Sequence, residues 1–277
     1  MEKTERGQLF YKGISIIVLI ILAVLFTFPL YWILTGSLKS AMDINQAVPQ
    51  WFPTRPTLDN YERLFKHPAW KWMFNSVFIS LVAMGLTCIT AAMAGYVLAK
   101  KRFPGRTVIF GLLVCAMALP KQVILIPLLK EMSFLHLHDT LWAVILPTIG
   151  WPFGVFLMKQ FSENIPTEML EAARIDGAGE IKTFTNIVLP IIKPGIGALA
   201  IFTFISSWND YFMQLIMLNS KEKLTISLGI AKLQAEMSTD FGLIMAGASL
   251  AAVPIITIFL MFQKYFTKGI TMGAVKG

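Results

Sequence analysis

The sequence predicts an all-α integral membrane protein with six transmembrane helices. Hydrophobic residues make up 56% of the 277 residues and charged residues only 14%, whereas a soluble domain has about 25% charged residues. The mean hydropathy is +0.65. So few charges could not cover the surface of a water-soluble fold of this size. The composition therefore argues against a soluble enzyme, a disordered chain and a disulfide-rich chain.

Six apolar stretches are long enough to cross the hydrocarbon layer, which takes about 20 residues in a helix. They are predicted at 13–38, 72–99, 107–129, 140–158, 194–220 and 241–263. Formal charge within them is limited to Lys121 and Asp210. The first stretch has no small-residue cleavage site after it, so we expect a retained span and not a signal peptide. This divides the chain into an N-terminal segment 1–12, a membrane domain 13–268 and a C-terminal tail 269–277.

Positive charge predicts the orientation of the spans. An even number of spans places both termini on one side, and the segments on that side hold 14 Lys and Arg residues against 9 on the other. Lys100, Lys101, Arg102 and Arg106 crowd one short loop on the richer side. Cytoplasmic loops collect such residues, so both termini are predicted to be cytoplasmic. The same bias explains the net charge of +8 without a nucleic-acid partner.

The longest cytoplasmic loop, 159–193, contains an organised pattern. Pro166 suits the start of a helix, and Gly177 and Gly179 can end it. A second short helix is predicted from near Glu180, at apolar residues with helical spacing, to Pro190. From this pattern alone, a solvated surface loop is an equally open interpretation.

The residues of this loop carry a resemblance to a known family. Glu171-Ala172-Ala173, Gly177, Ile187, Leu189 and Pro190 reproduce the spacing EAA-x3-G-x9-I-x-L-P of permeases from ATP-binding-cassette (ABC) importers. Further similar segments are YVLAK at 96–100, PKQVILIP at 120–127, FLMKQF at 156–161, EAARIDGA at 171–178, WNDY at 208–211 and GAVKG at 273–277. The chain resembles the carbohydrate-uptake permeases of the maltose and multiple-sugar type, specifically the shorter, six-span partner of the pair.

The resemblance implies a mechanism and a set of partners. Loop 166–194 would dock on a separate ATPase, whose closure drives alternating access and inward transport of a di- or oligosaccharide, of the raffinose or maltodextrin kind. The implied partners are a homologous second permease, two ATPase subunits holding ATP and Mg, and an extracytoplasmic sugar-binding protein, in a bacterial or archaeal cell membrane. The implied coupling residues are Glu171, Ala172, Ala173, Arg174, Asp176, Gly177, Ile187, Leu189 and Pro190. The chain itself lacks a G-x4-G-K-[ST] sequence for cradling ATP phosphates, so we expect a transport subunit without its own cofactor, and not an enzyme.

Polar and aromatic residues in the spans are candidates for the translocation path. A charge at mid-bilayer costs about 2.5–3.5 kcal/mol, so Asp210 is expected to line the path, to pair with another helix, or to lie near the outer interface. Amide groups could hydrogen-bond sugar hydroxyls, and the indoles of Trp142, Trp151 and Trp208 could stack on a sugar ring, although span-end aromatics also form interfacial belts. The candidates are Asn75, Gln122, Trp208, Asn209 and Asp210. Lys121 is expected to snorkel or to pair with an acidic residue of the partner subunit.

Two other functional classes fit the sequence less well. An ion-coupled secondary transporter usually has internal repeats and coupling carboxylates at mid-membrane, and only Asp210 is available here. An intramembrane protease would need a G-x-S-x-G elbow and a base, and segment 247–251 lacks the second glycine. His136 and His138 have no second ligand cluster nearby, so no metal site is predicted.

Overall fold

A computed structural model describes residues 2–236 and 240–274, with side chains placed for 11–236 and 240–263. Within these ranges the chain is helical, without a strand. The α-helices are α1 (Glu2–Ser37), α2 (Ala41–Ile44), α3 (Asp59–Phe65), α4 (Ala69–Lys100), α5 (Arg106–Met117), α6 (Lys121–Phe134), α7 (Trp142–Ile149), α8 (Phe153–Glu163), α9 (Thr167–Ile175), α10 (Glu180–Thr183), α11 (Leu189–Trp208), α12 (Tyr211–Met217), α13 (Ile226–Glu236) and α14 (Phe241–Ala274). A π-helical turn, Phe184–Val188, joins α10 to α11, and a 3₁₀ turn, Lys221–Lys223, follows α12.

Five helical stretches of the described chain are long and apolar enough to cross a membrane. They are Tyr11–Ser37, Ala69–Lys100, Trp142–Glu163, Glu180–Trp208 and Phe241–Gln263. The count reaches six when α5 and α6, which are bent by 107° relative to each other, are taken as one broken span. The all-α fold with six spans is therefore confirmed.

Two predicted spans are interrupted. The predicted span 107–129 is a broken one, because the helix stops at Met117 and α6 begins only after Pro120. A proline restricts the backbone of the residue before it to extended conformations, which accounts for the break. The predicted span 140–158 is divided into α7 and α8 at residues 150–152, where a glycine and a proline stand on either side of Trp151.

The predicted boundaries of the fifth span, 194–220, are also wrong. The helix begins at Glu180 and ends at Trp208, so the short second helix predicted to end at Pro190 is instead the start of this span. The π-helical turn directly precedes Leu189 and Pro190, and such a turn changes the hydrogen-bond register where the proline lacks an N–H. Beyond Trp208, Asp210 starts a separate helix by accepting a hydrogen bond from the Met213 N–H at 3.4 Å.

The chain divides into two compact units, the first formed by 1–69 and 230–252. A polar cluster organises this unit after the end of α1. The buried Asn60 amide donates to the carbonyl oxygens of Ser37 and Lys39, at 3.0 and 2.8 Å. The Tyr61 hydroxyl lies 2.9 Å from the Ser37 hydroxyl and 2.7 Å from that of Ser249. These bonds tie α3 to α1 and α14 within the unit.

The second unit is formed by 70–229 and by the described residues from 253 onward. Its main apolar core includes Tyr96 from α4, Met158 from α8, Val188 from the π-helical turn and Ile192 from α11. Met158, Val188 and Ile192 are fully buried. Leu170 of α9 belongs to the same cluster, so the predicted loop is anchored on the ends of the long helices.

Candidate coupling loop and transport cavity

Helix α9 has one face packed on the core and one face open. Leu170 and Ala173 are 7% and 6% exposed, whereas Glu171, Ala172 and Arg174 are exposed. The three residues of the EAA motif therefore lie on different faces of the helix. The last alanine fits against the unit because its side chain is small, and Glu171 and Ala172 remain accessible.

Gly177 ends α9 by a specific hydrogen-bonded turn. Its N–H donates to the Arg174 carbonyl at 3.0 Å, and the Ala178 N–H donates to the Ala173 carbonyl at 2.9 Å. This is the Schellman arrangement, which needs a left-handed residue one position after the cap. Gly177 supplies it with φ +76°. The spacing between the EAA residues and the glycine is thus the spacing of a helix C-terminus and its turn.

Ion pairs connect this loop to the short basic loop after α4. Glu180 pairs with Lys101 and, at 3.4 Å, with Arg174. The Lys100 ammonium donates to the carbonyl oxygens of Glu163 and Ile165, at 3.1 and 2.6 Å. The two chain segments predicted to be cytoplasmic therefore lie side by side.

Large apolar side chains are exposed on the same loop. Ile175 is 86% exposed, Ile181 81% and Met169 45%. They stand among exposed charged residues such as Glu171 and Lys182. An exposed apolar group with a polar rim is typical of a protein-binding surface.

The other predicted coupling residues occupy different positions. Asp176 is exposed beside Gly177, and Pro190 is exposed on α11. Ile187 and Leu189 are partly buried and pack against the apolar core. The structure thus places the first half of the motif on the open surface and two residues of the second half beneath it, where they support the loop.

Three of the predicted path residues are engaged in local structure. The Asn75 amide donates to the carbonyl oxygens of Glu222 and Leu224, at 2.9 and 2.8 Å. Trp208 is 2% exposed and stacks on Phe204, with ring centroids 5.6 Å apart. Asn209 is exposed and donates its amide to the carbonyl of Ile205.

Asn75 and Trp208 are thus buried within this chain, and their place on the translocation path stays a prediction. Gln122 is exposed on α6.

Asp210 lines a cavity of about 450 Å³. Its carboxylate lies 3.6 Å from the Lys121 ammonium, so Lys121 has an acidic partner within this chain, and its expected partner on another subunit is not needed. The same ammonium lies over the Trp151 ring, 4.9 Å from its centroid. Glu131 of α6 also lines the cavity.

Residues 90–272 match the protein family described as the binding-protein-dependent transport system inner membrane component. The chain belongs to this family. It is a membrane permease component, and the relatives and solved structures below are consistent with that assignment.

Relatives from several bacteria match over most of their length. The arabinooligosaccharides transport system permease protein AraQ of Bacillus subtilis is 38% identical over 263 residues, covering 92% of each chain. The sulfoquinovosyl glycerol transport system permease protein SmoH of Agrobacterium fabrum is 30% identical and covers 96% of this chain and 94% of its own. The diacetylchitobiose uptake system permease protein NgcG of Streptomyces coelicolor is 28% identical, with coverages of 96% and 89%.

Solved structures confirm the fold. A chain of a bacterial ABC transporter involved in the import of the acidic polysaccharide alginate superposes with a TM-score of 0.83 at 22% identity, covering 94% of this chain and 98% of that one. A second structure, of a bacterial alginate ABC transporter with an alginate pentasaccharide-bound periplasmic protein, has a TM-score of 0.62 at 16% identity and covers 94% of each chain.

Sequence reasoning missed the cavity of this permease component. The sequence offers Trp151 only as one of three tryptophans that could stack on a sugar ring, and Glu131 lies in the predicted loop 130–139. The sequence Gly150-Trp151-Pro152 does carry a signal, since glycine and proline together break a helix. A tryptophan within such a break is not restrained by helix packing on both sides.

Proposed function

We propose that this chain is the permease subunit of an ABC importer that carries a di- or oligosaccharide inward by alternating access. The observation that carries the proposal is the 38% identity, over 92% of both chains, to a permease named for arabinooligosaccharides. The relatives named for sulfoquinovosyl glycerol and diacetylchitobiose support a saccharide as cargo. Membership in a binding-protein-dependent family argues against an ion-coupled secondary transporter.

The open face of α9 and the turn at Gly177 form the proposed docking surface for a separate ATPase. Glu171 offers a polar anchor, and Ile175 and Ile181 offer apolar area that is open in this chain. A surface held from below by Leu170 and by the ion pair between Lys101 and Glu180 can transmit force to the helices under it. Two ATPase subunits, holding ATP and Mg, would act on this chain and on a homologous second permease.

The orientation follows from the same proposal. An ATPase is cytoplasmic, so the loop 166–194 and the basic loop that it contacts face the cytoplasm, as do both termini. An extracytoplasmic binding protein would deliver the saccharide from the other side of the cell membrane. The periplasmic protein in the alginate transporter complex supports such a partner.

Uptake by reconstituted vesicles tests the function. The permease would be co-purified with its ATPase and second permease and inserted into vesicles, with ATP supplied inside or outside. The binding protein and radiolabelled arabinotriose or other oligosaccharides would then be added. We expect uptake that stops when nucleotide is depleted and continues when ion gradients are collapsed. Uptake that depends on an ion gradient, or that occurs with this chain alone, would contradict the proposal.

Two substitutions test the docking surface. Glu171→Lys reverses the charge of the anchor, and Gly177→Pro cannot adopt φ +76° because proline fixes φ near −65°. We expect both variants to insert in the membrane, to lose the ATPase during purification and to transport at least tenfold more slowly. Glu168→Lys makes the same charge change in the first turn of α9, outside the motif, and serves as the matched control. Normal transport by the Glu171 and Gly177 variants would refute the assignment.

A further inference from the structure

The cavity beside Asp210 lies where two helix breaks meet. Its walls come from the break between α5 and α6, the break between α7 and α8, and the chain that follows α11. Its volume of about 450 Å³ falls within the range of small-molecule sites, roughly 300–1,000 Å³. Broken helices in transporters commonly provide such sites, because they expose backbone and side chains that a continuous helix would cover.

Trp151 is the tryptophan that the structure brings to this cavity. It lies in the break between α7 and α8 and is partly exposed. Trp208 is buried against Phe204, and Trp142 packs edge-on against Phe78, away from the cavity walls. An indole ring offers a large, flat apolar surface, which matches the C–H face of a sugar ring.

Charged groups beside Trp151 have unused hydrogen-bonding capacity. Lys121 and Asp210 are 3.6 Å apart, and their side chains are 38% and 18% exposed. Asp210 also accepts the Met213 N–H, and the Lys121 ammonium lies over the Trp151 ring. An ammonium has three donors and a carboxylate has about four acceptor positions, so these contacts leave several of them available. Sugar hydroxyls, which both donate and accept, can bind to the two groups together.

The formal charges of the lining favour an uncharged ligand. Among the described side chains that line the cavity, Lys121 is positive, whereas Asp210 and Glu131 are negative. A uronate or sulfonate group would meet this excess of negative charge, and like-charge contacts are an effective means of rejecting a ligand. The hydroxyls of a neutral saccharide meet no such penalty.

We propose that this cavity is a binding site for an uncharged saccharide on its way through the permease. Trp151 contacts the apolar face of a sugar ring, and the Lys121–Asp210 pair hydrogen-bonds its hydroxyls. The site rejects acidic saccharides. This inference rests on the proposed function and names residues that line the path of the saccharide.

Saturation-transfer difference NMR tests contact directly. The detergent-purified complex of the permease with its partner subunits, without the binding protein, is mixed with arabinotriose or with trigalacturonate. We expect saturation transfer from the protein to arabinotriose and none to trigalacturonate. Trp151→Ala should reduce the arabinotriose signal at least fivefold, Trp151→Phe should restore most of it, and the control Trp142→Ala should leave it unchanged.

A second variant tests the charge argument. Asn can replace Asp210 as a helix cap, so Asp210→Asn removes the negative charge and keeps the local structure. We expect this variant to give a measurable NMR signal with trigalacturonate. Its signal with arabinotriose should stay within about threefold of the wild-type signal, since one charged hydrogen bond is weakened. A trigalacturonate signal in the wild type, or no change in Asp210→Asn, would overturn the charge argument.

The NMR and uptake experiments together distinguish a wrong site assignment from a wrong proposed function. If wild-type vesicles take up arabinotriose with ATP but Trp151→Ala gives an unchanged NMR signal, or the wild type gives none, the site assignment is wrong and the function stands. If wild-type vesicles import no oligosaccharide with any binding protein tested, the proposed function itself fails.

Discussion

Asp139 joins two segments of the second unit through a single carboxylate. Its side chain accepts the N–H groups of Asn219 and Ser220 at 2.9 and 3.0 Å, accepts the Ser220 hydroxyl, and lies 3.4 Å from the Lys223 ammonium. Partial burial opposes ionisation, but these hydrogen bonds and the ammonium outweigh it and hold the pKa of Asp139 well below its usual range. The ionised carboxylate is therefore bound more favourably in the folded chain than in the unfolded chain.

We predict that Asp139→Asn lowers the free energy of unfolding by about 2 kcal/mol at neutral pH, because a hydrogen bond to a charged group contributes about 1.5–3 kcal/mol. Asparagine keeps one oxygen for the two N–H groups but loses the charged acceptor for Ser220. The contact with Lys223, whose side chain is 46% exposed, adds at most about 0.5 kcal/mol. For a chain of this size the total corresponds to a fall in melting temperature of about 4–8 °C.

Asparagine also preserves the backbone at this position. Asp139 has φ 56°, a left-handed conformation that Asn and Asp tolerate better than other side chains. Asp139→Ala would add backbone strain of about 1–2 kcal/mol to the loss of every side-chain hydrogen bond. We therefore expect the alanine variant to be less stable than the asparagine variant.

Thermal unfolding of the detergent-purified complex, followed by size-exclusion chromatography after heating, measures the effect. Because the folded pKa is depressed, the contribution of Asp139 is fully present above the unfolded pKa of about 3.9 and declines as the pH falls below it. The difference between wild type and Asp139→Asn should thus shrink at about pH 3.5. Equal melting temperatures at pH 7, or a difference that grows on acidification, would refute this reasoning.

Two further substitutions follow from packing in the same unit. Asn75→Leu leaves the carbonyls of Glu222 and Leu224 unpaired and should cost about 2 kcal/mol, measured in the same heating assay with Asn75→Gln as a partial rescue. Gly195→Val places a side chain against the Phe161 ring, which a Cβ would meet within 3 Å; we expect a loss of about 1–3 kcal/mol. Adding Phe161→Ala should recover part of that loss, and no recovery would show that the ring contact is not the cause.

The helical spans and the turn at Gly177 were predictable because their signals are local. Hydropathy over about 20 residues indicates a span wherever it lies, and Gly177 is needed at the end of α9 for a reason contained in the backbone of that turn. These features depend little on the rest of the chain.

The direction that the chain takes after each break, and the cavity, were not predictable, because they depend on contacts between distant segments. Apolar residues continue on both sides of Pro120, so hydropathy over a long window does not report the change of direction between α5 and α6. Pro190 is a helix breaker by composition, yet the π-helical turn before it lets the helix continue. The Lys121–Asp210 pair joins two residues 89 positions apart in the sequence, and no pattern in either segment alone indicates the other.

The helical stretch from Glu180 to Trp208, which continues through the π-helical turn, has a mechanical consequence. Its 29 residues extend roughly 43 Å at 1.5 Å per residue. One end meets Lys101 beside the turn at Gly177, and the other stops two residues before Asp210. A tilt of about 10° about the Gly177 end displaces the far tip of such a rod by about 7.5 Å, and that tip leads directly into the wall of the cavity.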